Sequence, residues 1–179
     1  MKSAFASAAV LAFLTSGALA ADAIALPVSS GNATVPLYDT QSFDWSGFYA
    51  GIYGAGQISP VGGLQYGLGV NLGVNAQIEY VLVGAEVSVH GLAGGPVATA
   101  YGQLVGRAGV LVSDDMLVYA AAGYGTSLAG PAESDLLLGG GLEYAVSEDV
   151  SLRAQYLHGF PITGGNPKDE VTLGAHFHF

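Results

Sequence analysis

The 179-residue sequence contains no cysteine and very little positive charge. Four lysines and arginines stand against fourteen acidic residues, which gives a formal net charge of −10 at pH 7. The absence of cysteine excludes a disulfide framework and thiolate metal sites. An acidic chain of this kind also lacks the basic patches that nucleic-acid binding requires. We therefore predict no nucleic-acid partner.

Long hydrophobic runs are missing as well. Although 51% of the residues are hydrophobic and only 10% are charged, no apolar stretch reaches the roughly 20 residues that a membrane-spanning helix needs. The apolar residues are spread evenly along the chain and are accompanied by 28 glycines. This distribution is typical of alternating strands that present one face to lipid.

The N-terminal region differs from the rest of the sequence. Residues 1–20 combine one lysine, the apolar segment Ala4–Leu14 and a small-residue cleavage site, which is the pattern of a secretory signal peptide. A transmembrane anchor would need a longer apolar run. Residues 21–44 contain prolines and no sustained periodicity, so we expect a disordered periplasmic segment. Residues 45–179 are expected to form one domain.

The clearest periodic segment is Gly67–Glu79. Its even-numbered residues, such as Leu68 and Val70, are apolar, and its odd-numbered residues, such as Asn71, are glycine or polar. A period of two over this length has no helical explanation. The segment also exceeds the roughly 9 to 11 residues with which a tilted strand crosses a bilayer.

Similar alternation predicts seven further strands and an all-β fold. An even number of strands leaves both chain ends on one side of the membrane. We therefore predict an eight-stranded antiparallel up-and-down transmembrane β-barrel, with short links between strands. The predicted strands are Trp45–Gln57, Gly67–Glu79, Leu82–His90, Thr99–Val112, Leu117–Leu128, Asp135–Val146, Val150–Phe160 and Asp169–Phe179.

The charged residues within these strands share one face. When the apolar faces point outward, an inward position is predicted for Glu79, Glu86, Arg107, Glu143 and Arg153. An eight-stranded barrel has an interior that side chains fill, so buried charges must pair or be solvated. Glu143 and Arg153 are equally distant from Glu148 and should face each other across a hairpin. A symmetric hairpin would likewise oppose Glu86 and Arg107.

Aromatic residues fall largely near the ends of the predicted strands. Such positions form the interfacial girdles of membrane barrels. We predict girdle positions for Trp45, Tyr66, Tyr101, Tyr124, Tyr144, Tyr156 and Phe179.

Several short motifs, in order and spacing, resemble the small opacity-type outer-membrane surface-antigen barrels of Gram-negative bacteria. The resemblance extends over nearly all of residues 45–179. The motifs are Trp45-Ser-Gly-Phe-Tyr-Ala-Gly51, Val105-Gly-Arg-Ala-Gly109, Leu117-Val-Tyr-Ala-Ala-Ala-Gly123, Gly139-Gly-Gly-Leu-Glu-Tyr144, Leu152-Arg-Ala-Gln-Tyr156 and the terminal Phe179.

The resemblance implies a location in the cell outer membrane, in contact with its lipid. It also implies insertion by the outer-membrane assembly machinery, which in such proteins reads a C-terminal aromatic residue, here Phe179. Roles in envelope integrity and surface exposure follow from the resemblance, as does haem binding in some relatives.

The sequence offers no assembled catalytic or metal site. His176 and His178 lie near the predicted periplasmic rim, whereas His90 and His158 lie near the outer rim, so the four cannot share one site. Ser151 begins the strand that His158 nearly ends, about 20 Å away at strand rise. We therefore predict no catalytic residue, no metal ligand and no cofactor.

These observations predict a monomeric, non-enzymatic outer-membrane barrel with a structural, envelope-integrity or surface-antigen role. Its lumen would be filled by paired charges. Three alternatives remain: a narrow pore for small solutes, a haem- or metal-binding surface barrel, and a soluble secreted barrel with the opposite orientation of its faces.

Overall fold

The computed structural model describes residues 43–95, 98–129 and 132–179. The predicted signal peptide at 1–20 and most of the predicted segment at 21–44 lie outside these residues and stay predictions. Within the described ranges, no helix is long and apolar enough to cross a membrane.

Eight strands form a closed antiparallel barrel, as predicted. Each strand pairs with its neighbours in sequence, and the first strand pairs with the last, which closes the sheet. The strands are β1 (Gly47–Ser59), β2 (Gly63–Ile78), β3 (Val81–Ala93), β4 (Thr99–Ser113), β5 (Met116–Ala129), β6 (Ser134–Ala145), β7 (Val150–Thr163) and β8 (Lys168–His178).

The two ends of the barrel differ. The end where β1 begins and β8 ends carries Phe43 and Phe179, and we call it the terminal end. The opposite end, which carries the links after β1, β3, β5 and β7, is the loop end. Each of these four links leaves only three to five residues between consecutive strands, so little chain extends beyond the sheet.

The outer face of the barrel is apolar, as the alternation predicts. Leu68 is 78% exposed, and Val70 and Leu72 are also exposed, whereas Asn71 and Asn75 of the same strand are buried inside. Large apolar side chains lie exposed on all eight strands. A barrel in water would bury these side chains, so this arrangement suits a hydrocarbon surrounding.

Glycines on β2 make room for tyrosine rings from β1. Tyr49 lies opposite Gly73 and Tyr53 lies opposite Gly69 in the register of the two strands. A Cβ atom added to Gly73 would lie 2.2 Å from Tyr49 Cζ, and one added to Gly69 would lie 2.3 Å from Tyr53 Cζ. Only glycine permits this close approach of ring and neighbouring backbone.

Aromatic side chains close the terminal end. Trp45 precedes β1 and is 0% exposed, and its Nε1 donates a hydrogen bond to the backbone oxygen of Asp114 at 3.0 Å. Its ring packs against Phe43, with 4.6 Å between centroids, and belongs to a buried cluster that includes Leu82 and Leu117. We call Phe43 and Trp45 the aromatic stopper.

The girdle prediction is therefore wrong at two positions. Trp45 lies in the terminal mouth, and Tyr101 is buried in the lumen, where its hydroxyl donates to Asp135. The remaining predicted aromatics are exposed. Tyr66, Tyr144 and Phe179 lie near strand ends, whereas Tyr124 and Tyr156 lie nearer the middle of β5 and β7. Proximity to a strand end did not reveal which aromatic side chains point into the barrel.

Candidate functional site in the barrel lumen

Four buried charges meet in the half of the lumen nearer the terminal end. They are Glu86 of β3, Arg107 of β4, Glu143 of β6 and Arg153 of β7, and we call them the terminal cluster. All four were predicted to face inward, and their side chains are buried inside the barrel. Two carboxylates and two guanidinium groups balance in formal charge.

Glu143 is the centre of the terminal cluster and is 0% exposed. Its Oε2 accepts hydrogen bonds from Arg107 Nη1 at 2.8 Å and from Arg153 Nε at 2.9 Å. Its Oε1 accepts a hydrogen bond from the Ser151 hydroxyl. Glu143 and Arg153 are also direct partners in the β6–β7 register, as the hairpin symmetry predicts.

The second predicted pair is wrong. Glu86 lies opposite Val105 in the β3–β4 register, and Arg107 lies opposite Gly84. Glu86 instead pairs across the barrel with Arg153 and accepts a hydrogen bond from the Tyr49 hydroxyl at 2.6 Å. The actual partner of Glu86 on β4 is two residues before the predicted one, because the β3–β4 link sets a different register from the one that was assumed.

The prediction for Glu79 also differs from the structure. Strand β2 ends at Ile78, and Glu79 lies exposed in the turn that follows. Its φ of 56° falls in the left-handed region, which reverses the chain before β3 begins. The Glu79 side chain therefore lies outside the lumen.

A second group of charged side chains, which was not predicted from the sequence, occupies the half of the lumen nearer the loop end. It comprises Glu133, Asp135, Lys168 and Glu170, and we call it the loop cluster. Lys168 Nζ lies 2.7 Å from both Glu133 Oε2 and Asp135 Oδ2. Asp135, Lys168 and Glu170 are buried. Their inward parity in β6 and β8 was the signal that could have revealed them.

Glu170 has no lysine or arginine partner in the loop cluster. Its two carboxylate oxygens each lie 3.0 Å from Gln103 Nε2, which donates to them, and His90 Nε2 lies 3.5 Å from its Oε2. The loop cluster thus contains three carboxylates and one ammonium group, unlike the balanced terminal cluster.

Within the eight strands that the structure describes, one charged residue faces outward. Asp169 follows Lys168 on β8 and accepts hydrogen bonds from the Tyr156 hydroxyl at 2.6 Å and, when Nδ1 carries the proton, from His158 at 2.8 Å. Asp169 is the second residue of β8 and therefore lies near the loop end of that strand. A charge on the outer face is tolerable there, because the cost of exposure to lipid falls toward the interfaces.

His176 and His178 lie on the lumen side of β8 toward the terminal end, and both pack against the Tyr49 ring. His176 contacts Asn71, with 2.9 Å between Nε2 and Nδ2, and His178 contacts Ser151 at 3.0 Å. His90 faces the lumen, whereas His158 faces outward. Across residues 43–95, 98–129 and 132–179, no group of three His, Cys, Asp or Glu side chains is arranged to hold a metal ion.

Phe179 ends the chain at the terminal rim, beyond the last strand residue. Its backbone nitrogen donates a hydrogen bond to the oxygen of Phe48 at 2.9 Å, and its exposed ring packs against Phe177 with 5.2 Å between centroids. The side chain is therefore accessible from outside the barrel. Its role as an assembly signal stays a prediction.

Comparison with known proteins identifies the fold. No protein-family model matches the sequence, and no curated protein matches it. Among solved structures, the chain is similar to the attachment invasion locus protein of Yersinia pestis, with 13% identity, a TM-score of 0.55, and coverage of 75% of this chain and 97% of that one.

Two further structures have the same architecture. Neisserial surface protein A shares 17% identity with a TM-score of 0.51, covering 75% of this chain and 98% of that one. The N-terminal β-barrel domain of OprF from Pseudomonas aeruginosa shares 15% identity with a TM-score of 0.52, covering 74% and 99%. This chain therefore has the closed eight-stranded barrel fold of small outer-membrane proteins.

Proposed function

We propose that this protein is a barrel of the Gram-negative outer membrane that serves envelope integrity as a non-conducting, non-enzymatic structural element. The observation that carries the proposal is the inversion of its faces: apolar side chains cover the outside, and charged side chains pair inside. Residues 1–20 would direct export and be removed, and lipid would cover the outer face.

The contents of the lumen favour a structural role of the protein over a role as a pore. Arg153 bridges Glu86 of β3 and Glu143 of β6, so the ion pairs extend across the interior. The aromatic stopper covers the terminal end below them. Solute passage would require both features to move, and buried ion pairs that lose a partner are strongly destabilised.

The short loop-end links favour an envelope role over recognition at the cell surface. Binding functions usually reside on loops that a rigid scaffold positions. Here the links are residues 60–62, 94–98, 130–133 and 164–167, which offer little chain for a specific partner. Because the barrel closes its own sheet edges, it needs no partner subunit, and we propose a monomer. Phe179 would present the last strand to the assembly machinery.

Membrane fractionation and gel migration test the location. We expect the protein in the outer-membrane fraction, with faster gel migration before boiling than after, because a folded barrel resists detergent. Recovery in the periplasm or medium, or identical migration of boiled and unboiled samples, would contradict the proposal.

Two measurements test the role. Purified protein in planar bilayers should give no steady openings, and steady openings would favour the narrow pore. A strain that lacks the gene should become more sensitive to detergents and bulky antibiotics, and the wild-type gene should restore resistance. Unchanged sensitivity would argue against the envelope role.

A further inference from the structure

A small cavity lies in the lumen between the terminal cluster and the loop cluster. It touches Glu86 and Arg153 of the terminal cluster, and it also touches Gln103, which binds Glu170 of the loop cluster. About 10 Å³ is open to the centre of a water molecule. That is about the room that one water needs.

Three residues that line this cavity carry buried polar atoms without a protein partner. The atoms are Asn71 Oδ1, Arg153 Nη2 and His176 Nδ1. Arg153 Nη2 is a donor and Asn71 Oδ1 is an acceptor. When His176 Nε2 accepts the hydrogen bond from Asn71 Nδ2, the neutral imidazole carries its proton on Nδ1, which is then a second donor.

We propose that this cavity is a binding site for one ordered water molecule, held by Asn71, Arg153 and His176. A water offers two donors and two acceptor sites, and buried waters usually make two to four hydrogen bonds to polar groups that would otherwise be unsatisfied. The water can donate a hydrogen bond to Asn71 Oδ1 and accept hydrogen bonds from Arg153 Nη2 and His176 Nδ1. The proposal is independent of the proposed envelope role.

The charges around the cavity favour water over an anion. Arg153 already pairs with Glu86 and Glu143, and the terminal cluster contains as many carboxylates as guanidinium groups. A bound chloride would add an uncompensated negative charge in a buried site, which is strongly unfavourable. A neutral water satisfies the same donors without that penalty.

The cavity also lies between the hydrogen-bonded systems of the two halves of the lumen. Ser88, which lines the cavity, donates a hydrogen bond to Gln103 Oε1 at 3.2 Å, and Gln103 in turn donates to Glu170. Arg153 and Glu86 line the other side of the same cavity. The water would therefore lie between two hydrogen-bonded systems that share no direct ion pair among the described residues.

The direct test is a high-resolution crystal structure of the wild-type barrel in detergent or a lipid phase. We expect one solvent peak within about 3.2 Å of at least two of the three atoms. An empty cavity at a resolution that shows other buried waters would overturn the proposal. So would a peak that bromide soaking replaces with an anomalous signal, since that result identifies an anion.

A cavity-filling variant gives a second readout. Thr172 lines the cavity, and Thr172→Leu would occupy it, whereas Thr172→Val adds no length and is the matched control. If water is bound, displacing it leaves three polar atoms unsatisfied, and Thr172→Leu should unfold at lower urea concentration than Thr172→Val. If the cavity is dry, filling it should raise the midpoint instead, and that outcome would refute the water site.

Discussion

The two charge clusters of the lumen use different means to bury charge inside one barrel. In the terminal cluster, each carboxylate has at least one guanidinium partner, and Glu143 is shared between Arg107 and Arg153. In the loop cluster, Lys168 pairs with both Glu133 and Asp135, and Glu170 accepts hydrogen bonds from the side-chain amide of Gln103.

The difference follows from position. The terminal cluster is fully enclosed above the aromatic stopper, where an unpaired charge would be costly to bury. The loop cluster lies under short links, and Glu133 retains partial exposure. Solvent can therefore stabilise the charge of Glu133, whereas Asp135, Lys168 and Glu170 are as buried as the terminal cluster. We therefore expect the terminal cluster to contribute more to stability than the loop cluster, and paired substitutions can test that ranking.

The largest effect is expected for Glu143→Gln. This change keeps the side-chain shape but leaves Arg107 and Arg153 with Glu86 as the remaining carboxylate of the terminal cluster. Removing one partner of a buried ion pair costs about 3–5 kcal/mol. Urea unfolding of the barrel in lipid vesicles, followed by tryptophan fluorescence, measures the change. Glu79→Gln, in the exposed turn, is the control and should leave the midpoint unchanged.

A loss below about 1 kcal/mol for Glu143→Gln would be typical of a solvated charge. It would mean that water enters the terminal half of the lumen, and the contrast between the clusters would disappear. The same variant should then also be tested for conductance, since water entry is a condition for a pore.

An intermediate effect is expected for Lys168→Met. The substitution retains an unbranched side chain but removes the ammonium group that pairs with buried Asp135 and partly exposed Glu133. The Tyr101 hydroxyl still donates to Asp135, which limits the loss to about 1–3 kcal/mol. Adding Asp135→Asn to this variant should recover part of the stability. A loss as large as that of Glu143→Gln would reverse the ranking.

The sequence was sufficient for the fold and for most of the terminal cluster. Strict alternation sets the inward and outward faces, because a strand has a period of two. Hairpin symmetry around Glu148 paired Glu143 with Arg153 correctly. Both inferences are local, since they depend on one strand or on one short turn.

The errors arose where non-local geometry decides the outcome. The pairing of Glu86 with Arg153 joins β3 to β7, strands that share no backbone hydrogen bonds, and it appears only when the sheet closes. Trp45 was assigned to a girdle because it begins a predicted strand, although it shares the parity of the inward-facing Tyr49, and the mouth of the closed barrel buries it. Lys168 was assigned to a loop, which concealed its role as the cation of the loop cluster.

The smallest effect is expected for Glu170→Gln, the same substitution as Glu143→Gln applied to the other half of the lumen. Glutamine keeps an acceptor for Gln103 Nε2 and removes a buried carboxyl group that has no lysine or arginine partner. We expect a change no larger than about 1 kcal/mol, in either direction, because one net hydrogen bond is of that size. Urea midpoints measured side by side with Glu143→Gln give the comparison. A large loss for Glu170→Gln would mean that His90 is charged and pairs with Glu170, and the loop cluster would then be as tightly locked as the terminal one.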